Sequence, residues 1–79
     1  MTVEIRCHAT LRDYLPESAK KGIYQYELKG EKNVREVANS LELPVEELHL
    51  IIVNGVQKNL DAPIQDGDRI GLFPPVGGG

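Results

Sequence analysis

Only one stretch of this chain repeats its apolar residues at helical spacing: Val34, Val37, Ala38 and Leu41, at i, i+3, i+4 and i+7. Asn33 stands in front as an N-cap residue, with Glu36 three positions later as its capping-box partner. Pro44 ends the pattern. So short a helix does not hold together alone in water and needs an apolar surface to lie on. With 79 residues there is room for one domain only. That surface therefore has to be a sheet made by the rest of the chain.

The strands are visible as alternation. Val3, Ile5 and Cys7 alternate with Glu4, Arg6 and His8, the period-2 signature of a half-buried strand. Leu11 to Leu15 follows, then Pro16, and the polar segment 13–22 is expected as a loop holding a short helical turn. Tyr24, Tyr26 and Leu28 alternate with Gln25 and Glu27, and Gly30 closes that second strand. Beyond the helix, Leu50 to Val53 is a β-branched run, followed by Asn54-Gly55 and Val56-Gln57-Lys58. Asn-Gly between two such runs marks a tight hairpin, because both turn residues must take positive φ. Pro63 and Asp66-Gly67-Asp68 form a turn cluster before the last strand, Arg69 to Phe73. The order β-β-α-β-β-β predicts an α+β fold, a mixed sheet of four to five strands with one main helix packed on one face. The first two strands pair as an antiparallel hairpin, and the helix supplies the crossover that lets the first and last strands pair in parallel at the centre. The β-grasp is one such arrangement, among several α+β sheets that the pattern admits.

Bulk properties narrow the function. A hydrophobic content of 41% with 27% charged residues fits a globular domain in water. A chain of this size buries only roughly 60% of its unfolded surface, which leaves little room for a deep active-site cavity. That favours a binding or carrier module over a self-contained enzyme. The net charge of −3 and the scattered basic residues, with Lys20-Lys21 the only adjacent pair, disfavour nucleic acid. The single cysteine, Cys7, permits no internal disulfide and fits a reducing cytoplasm. The N-terminus shows no long apolar stretch or h-region, so neither a signal peptide nor a membrane span is expected. Cys7 faces inward and reads as a core residue. His8 and His49 are isolated in sequence, so no metal site is expected. Asp66 and Asp68 are explained by turn chemistry; together with Asp61 they are either solvated loop charges or negative charge that steers a basic partner.

The remaining feature is the end of the sequence, Phe73-Pro74-Pro75-Val76-Gly77-Gly78-Gly79. Two prolines have fixed φ and no N–H, so they end the strand and launch the chain stiffly away from it. The three glycines lack Cβ atoms and make the thinnest polypeptide available. From Phe73 the six following residues reach on the order of 20 Å when extended. Residues 1–73 are therefore read as the folded domain and 74–79 as a flexible tail able to thread a narrow channel in another protein. Its one reactive group is the carboxylate of Gly79, a poor electrophile unless adenylated, after which a thiolate or persulfide can attack the acyl carbon. Phe73 lies on the strand face opposite Ile70 and Leu72, where it is placed to act as a docking anchor.

This ending resembles that of the MoaD/ThiS family of sulfur carriers, most of all the small subunit of molybdopterin synthase, in which a strand closes on Phe-Pro-Pro-Val, a small residue and Gly-Gly. Val53-Asn54-Gly55 and Asp66-Gly67-Asp68 match as well, and the resemblance spans the whole chain in length and element order. It implies a ubiquitin-like β-grasp fold. An adenylyltransferase similar to ubiquitin-activating enzymes would use ATP to adenylate Gly79, and persulfide sulfur would convert it to a thiocarboxylate. The sulfur would then pass, within the large synthase subunit, into the dithiolene of the molybdenum or tungsten pterin cofactor. Gly78 and Gly79 carry over as the reacting end. Phe73, Pro74, Pro75, Val76 and Gly77 carry over as partner-binding residues, with Gly77 where relatives often have alanine. The protein would be a co-substrate rather than an enzyme, with no permanently bound cofactor, a monomer when free. Two alternatives share the acyl-adenylate chemistry: a carrier for thiamin thiazole synthesis, and a ubiquitin-like modifier joined to lysines through Gly79. A β-grasp interaction domain with an inert tail is a third reading.

Overall fold

The structure, a computed structural model, describes residues 1–75. Five strands and one α-helix are present: β1 (Thr2–Cys7), β2 (Ile23–Glu27), α1 (Val34–Ser40), β3 (Leu50–Val53), β4 (Val56–Lys58) and β5 (Arg69–Phe73). They form one sheet in the order β2-β1-β5-β3-β4. β1 and β5 are parallel neighbours at the centre, with Glu4 opposite Arg69 and Cys7 opposite Leu72. The other pairings are antiparallel. With α1 covering one face, this is the ubiquitin-like β-grasp.

Alternation sorts the strands as the sequence predicts. Val3, Ile5, Cys7, Tyr26, Ile51, Val53, Ile70 and Leu72 are buried and pack with Val34, Val37 and Ala38 of α1 in one core. Leu11 joins that core from a 3-10 helix, Ala9–Tyr14. The sequence places helical structure later, within 13–22. It forms earlier because the fully buried Leu11 side chain pins the turn to the core.

Both ends of α1 are satisfied from outside the helix. The Asn33 side chain accepts from the Glu36 N–H at 2.9 Å, but Glu36 reaches back to the Lys32 N–H rather than that of Asn33, a capping box displaced by one residue. The N–H groups of Val34 and Arg35 donate to the carbonyls of Ala62 and Leu60. At the other end the Leu43 N–H bonds to the Ala38 carbonyl and the Glu42 N–H to that of Asn39. This is a Schellman motif, with Glu42 at the left-handed position (φ 58°) usually held by glycine. Hence Leu41 is only half-buried and Leu43 takes the buried place.

Asn54-Gly55 turns the β3–β4 hairpin with φ of 52° and 84°. Lys21-Gly22 makes a second turn of the same kind, φ 53° and 78°, between Lys20 and Ile23, which exchange hydrogen bonds of 3.0 and 2.9 Å. A Cβ at Gly22 would lie 2.5 Å from the Cys7 carbonyl oxygen, so only glycine fits there. Asp66-Gly67-Asp68 ties the start of β1 to that of β5: the Thr2 N–H donates to Asp66 Oδ1 (2.8 Å), the Gly67 N–H to the Thr2 carbonyl (2.8 Å) and the Glu4 N–H to the Asp68 carbonyl (2.9 Å). The buried Asp68 carboxylate accepts from Asn54 Nδ2 (2.9 Å) and the Gln65 N–H (2.8 Å). Among the described residues no helix is long and apolar enough to cross a membrane.

The buried Tyr26 hydroxyl donates to Glu31. Desolvation by itself would raise the Glu31 pKa, but bonds from Ser40, Tyr26 and the Lys29 N–H overcome it and bring it from 4.5 down to about 2. A depressed folded-state pKa stabilises the fold above the unfolded value, and the contribution disappears as pH falls from 4.5 towards 2. Glu31→Gln should thus lower thermal stability at neutral pH and flatten the loss of stability across that acid window, as followed by circular dichroism melts at several pH values. Exposed Glu42 carries a separate expectation. Glu42→Gly removes the left-handed Cβ penalty and should raise stability by about 0.5–1 kcal/mol in urea unfolding; an unchanged or lower midpoint would contradict the Schellman assignment.

Candidate functional site

β5 is both central in the sheet and the last strand before the tail, and it is held to its final residue. The His8 N–H donates to the Leu72 carbonyl at 3.1 Å, and the His49 N–H donates to the Phe73 carbonyl at 2.9 Å. Pro74 and Pro75 follow, half-buried and exposed, and neither has an N–H to extend the ladder. The chain therefore leaves the sheet at a fixed point. Val76, Gly77, Gly78 and Gly79, which the sequence marks as the reacting and threading residues, lie outside the described residues.

Phe73 is on the open face of the sheet, away from α1, and is half-buried. Its ring is stacked on that of His8, with centroids 4.0 Å apart and planes at 3°. Around this pair a depression of about 510 Å³ is lined by His8, Ala9, His49, Leu50, Gln57, Phe73, Pro74 and Pro75. Leu50, paired with Phe73, and Ile52, paired with Gly71, extend an apolar surface from the tail root across β3. His8 and His49 are absent from the site as read from the sequence, where they stand far apart. The parity of β1 carries a signal for His8: if β1 and β5 run parallel, Glu4, Arg6 and His8 share a face with Arg69, Gly71 and Phe73.

The other candidates separate cleanly. Cys7 is buried, and desolvation pushes its thiol up to about 11, so at neutral pH it is a packed thiol and not a nucleophile. Asp68 is buried inside the turn, Asp66 is bound to the Thr2 N–H, and Asp61 is paired with Arg35. Of the three acids expected to steer a basic partner, Asp68 is withdrawn from the surface, whereas Asp61 and Asp66 remain exposed. On the open face Glu4 lies between Arg6 and Arg69; the Arg6 hydrogen bond, ahead of the opposing desolvation, holds its carboxyl below the ordinary range. Among the described residues no group of three or more His, Cys, Asp or Glu side chains is placed to hold a metal ion.

A model of the family described as Mut7-C ubiquitin matches residues 1–77. The chain belongs to the Mut7-C ubiquitin family. No curated protein matches it. Among solved structures, the putative molybdopterin converting factor subunit 1 of Pyrococcus furiosus is 27% identical over 95% of this chain and 98% of its own, with a TM-score of 0.68. The complex of subunits 1 and 2 of the molybdopterin-converting factor of Helicobacter pylori contains a chain 27% identical over 100% of both, with a TM-score of 0.58. Small archaeal modifier protein 1 of Haloferax volcanii, at 22% identity over 95% of this chain and 98% of its own and a TM-score of 0.68, shares the fold. The resemblance to the MoaD-like molybdopterin-converting factor subunits 1 therefore spans 95% of this chain or more.

Burial of Cys7 predicts that the folded protein resists iodoacetamide at neutral pH and reacts fully once unfolded in urea. Rapid alkylation of the native protein, followed by mass spectrometry, would show the thiol to be accessible.

Proposed function

We propose that this protein is a sulfur carrier whose reacting group is the carboxylate of Gly79, serving dithiolene formation in a molybdenum or tungsten pterin cofactor. The observation that carries the reading is the anchoring of Phe73. A central strand bonded to its last residue runs directly into Pro74-Pro75 and the glycines, so a rigid body presents a thin chain at a defined place. A frayed terminus needs no such support.

In this reading a ubiquitin-activating-like adenylyltransferase binds ATP and the tail together. The Gly79 carboxylate attacks the α-phosphorus, pyrophosphate leaves, and the acyl carbon becomes electrophilic. The terminal sulfur of a persulfide attacks that carbon and AMP departs. A second thiol then attacks the inner, cysteine sulfur of this acyl disulfide, forming a disulfide with it, breaking the S–S bond and releasing Gly79 as the thiocarboxylate. The protein is thus a co-substrate that binds no cofactor of its own and works in the reducing cytoplasm as a monomer between partners. Its described residues bring docking, not chemistry: Phe73, Leu50 and Ile52 form an apolar surface beside the tail root. The Helicobacter pylori relative is found in complex with subunit 2, which supports a large-subunit partner; in this reading the partner docks on the apolar surface, Phe73, Pro74, Pro75, Val76 and Gly77 reach into it, and Gly78-Gly79 form the reacting end.

Intact mass of the protein purified from its native host is the direct test. One oxygen replaced by sulfur at the C-terminus is the expected result, and removal of Gly79 should abolish it while leaving the melting curve unchanged. High-mass conjugates that vanish on the same deletion would identify a modifier. A mass showing residues beyond Gly79, or cofactor synthesis that survives loss of Gly78-Gly79, would sink the carrier reading.

A further inference from the structure

His8 occupies the N-cap position of the 3-10 helix Ala9–Tyr14 but makes no side-chain cap bond. Residues favoured at such a position carry a side-chain oxygen that accepts from the orphan N–H groups, and an exposed imidazole is a poor substitute. Its ring lies flat on Phe73 instead, 4.0 Å away and parallel to within 3°. The backbone on either side is arranged for this. The His8 N–H is fixed to the Leu72 carbonyl at 3.1 Å. The next residue, Ala9, takes a left-handed φ of 52°, a conformation that costs a non-glycine residue free energy and persists only where its surroundings impose it. Phe73 has no bulk beside it on its own strand: a Cβ on Gly71 would meet its Cε1 at 3.6 Å. One face of the Phe73 ring is covered by the exposed side chain of His8, the residue that follows β1.

We propose that His8 is a positioning residue that holds the Phe73 ring in its docking orientation through the stack, and so sets how the root of the tail meets the activating enzyme. The inference rests on the carrier reading above. The stack backs one face of the Phe73 ring and leaves the rest of it to a partner, whereas a free Phe73 side chain would have to lose rotamer freedom on docking, which weakens association. The imidazole contributes through its flat face, so phenylalanine at the same position should serve as well.

The experiment uses the full chain with the adenylyltransferase encoded in the same genome, measuring ATP–pyrophosphate exchange against carrier concentration, alongside proton NMR of the Phe73 ring. His8→Ala is expected to raise the carrier KM about three- to tenfold with kcat unchanged, from the usual worth of an aromatic pair. It should also move the Phe73 ring resonances downfield as the ring-current shielding is lost. His8→Phe should restore both. Thermal melts identify any variant that fails to fold, and His8→Phe then carries the comparison with the wild type. Unchanged KM in a folded His8→Ala variant overturns the inference and leaves the carrier reading standing. So does a His8→Phe variant that behaves like His8→Ala, since the nitrogens rather than the ring face would then be acting. Absence of exchange with the wild-type chain instead overturns the carrier reading on which the inference depends.

Discussion

The parallel pairing of β1 with β5 is the contact on which the rest of this domain depends. It joins residues from the two ends of the sequence, with 64 positions between Thr2 and the Asp66 side chain that accepts its N–H. Closing so long a loop costs conformational entropy before any contact is gained. The return is large because these two strands bring Val3, Ile5, Cys7, Ile70 and Leu72 together at the centre of the core. The Asp66-Gly67-Asp68 turn fastens the pair at one end and the His8–Leu72 hydrogen bond at the other. Burying the Asp68 carboxylate is tolerable because both its oxygens are engaged, one by Asn54 of the β3–β4 hairpin, which draws the far side of the sheet into the same junction.

Parallel register also divides the open face into two regions. Towards the start of β1 and β5, Glu4 sits between Arg6 and Arg69, which leaves a net positive charge of one on that group. Towards their ends the same face carries His8, Gly71 and Phe73, with Leu50 and Ile52 alongside. Several of the acids are engaged elsewhere: Asp66 and Asp68 in their turn, Asp61 on Arg35 and Glu31 in the Tyr26–Glu31–Ser40 cluster. Beside the tail root, then, the surface is apolar, suited to a partner that recognises shape and aromatic area more than charge.

The strands and the helix start were legible because each rests on a local pattern: alternation in Val3-Ile5-Cys7, Asn33 with Glu36, and Asn54-Gly55. The end of α1 was hidden because Glu42 fills a glycine position, and the Lys21-Gly22 turn because lysine rarely takes positive φ. The early 3-10 helix depends on Leu11 finding the core, which no local signal announces. At the site, alternation put Phe73 on the open face, but His8 and His49 belong there only through pairing with β5. The partners of Asp61, Asp66 and Asp68, namely Arg35, Thr2 and Asn54, could not be read from the sequence because they are distant in it.

Placing the last strand in the middle of the sheet has a consequence for biosynthesis. Until residues 69–73 have left the ribosome, β1 lacks its inner neighbour and β3 has only β4 beside it. The core cannot close on a nascent chain, so folding waits for translation to reach the tail. A chain broken off earlier has no central strand and stays open to proteolysis. The fold thereby acts as a check on completeness: molecules that present a docking surface have been made at least as far as Phe73, the point from which the tail begins.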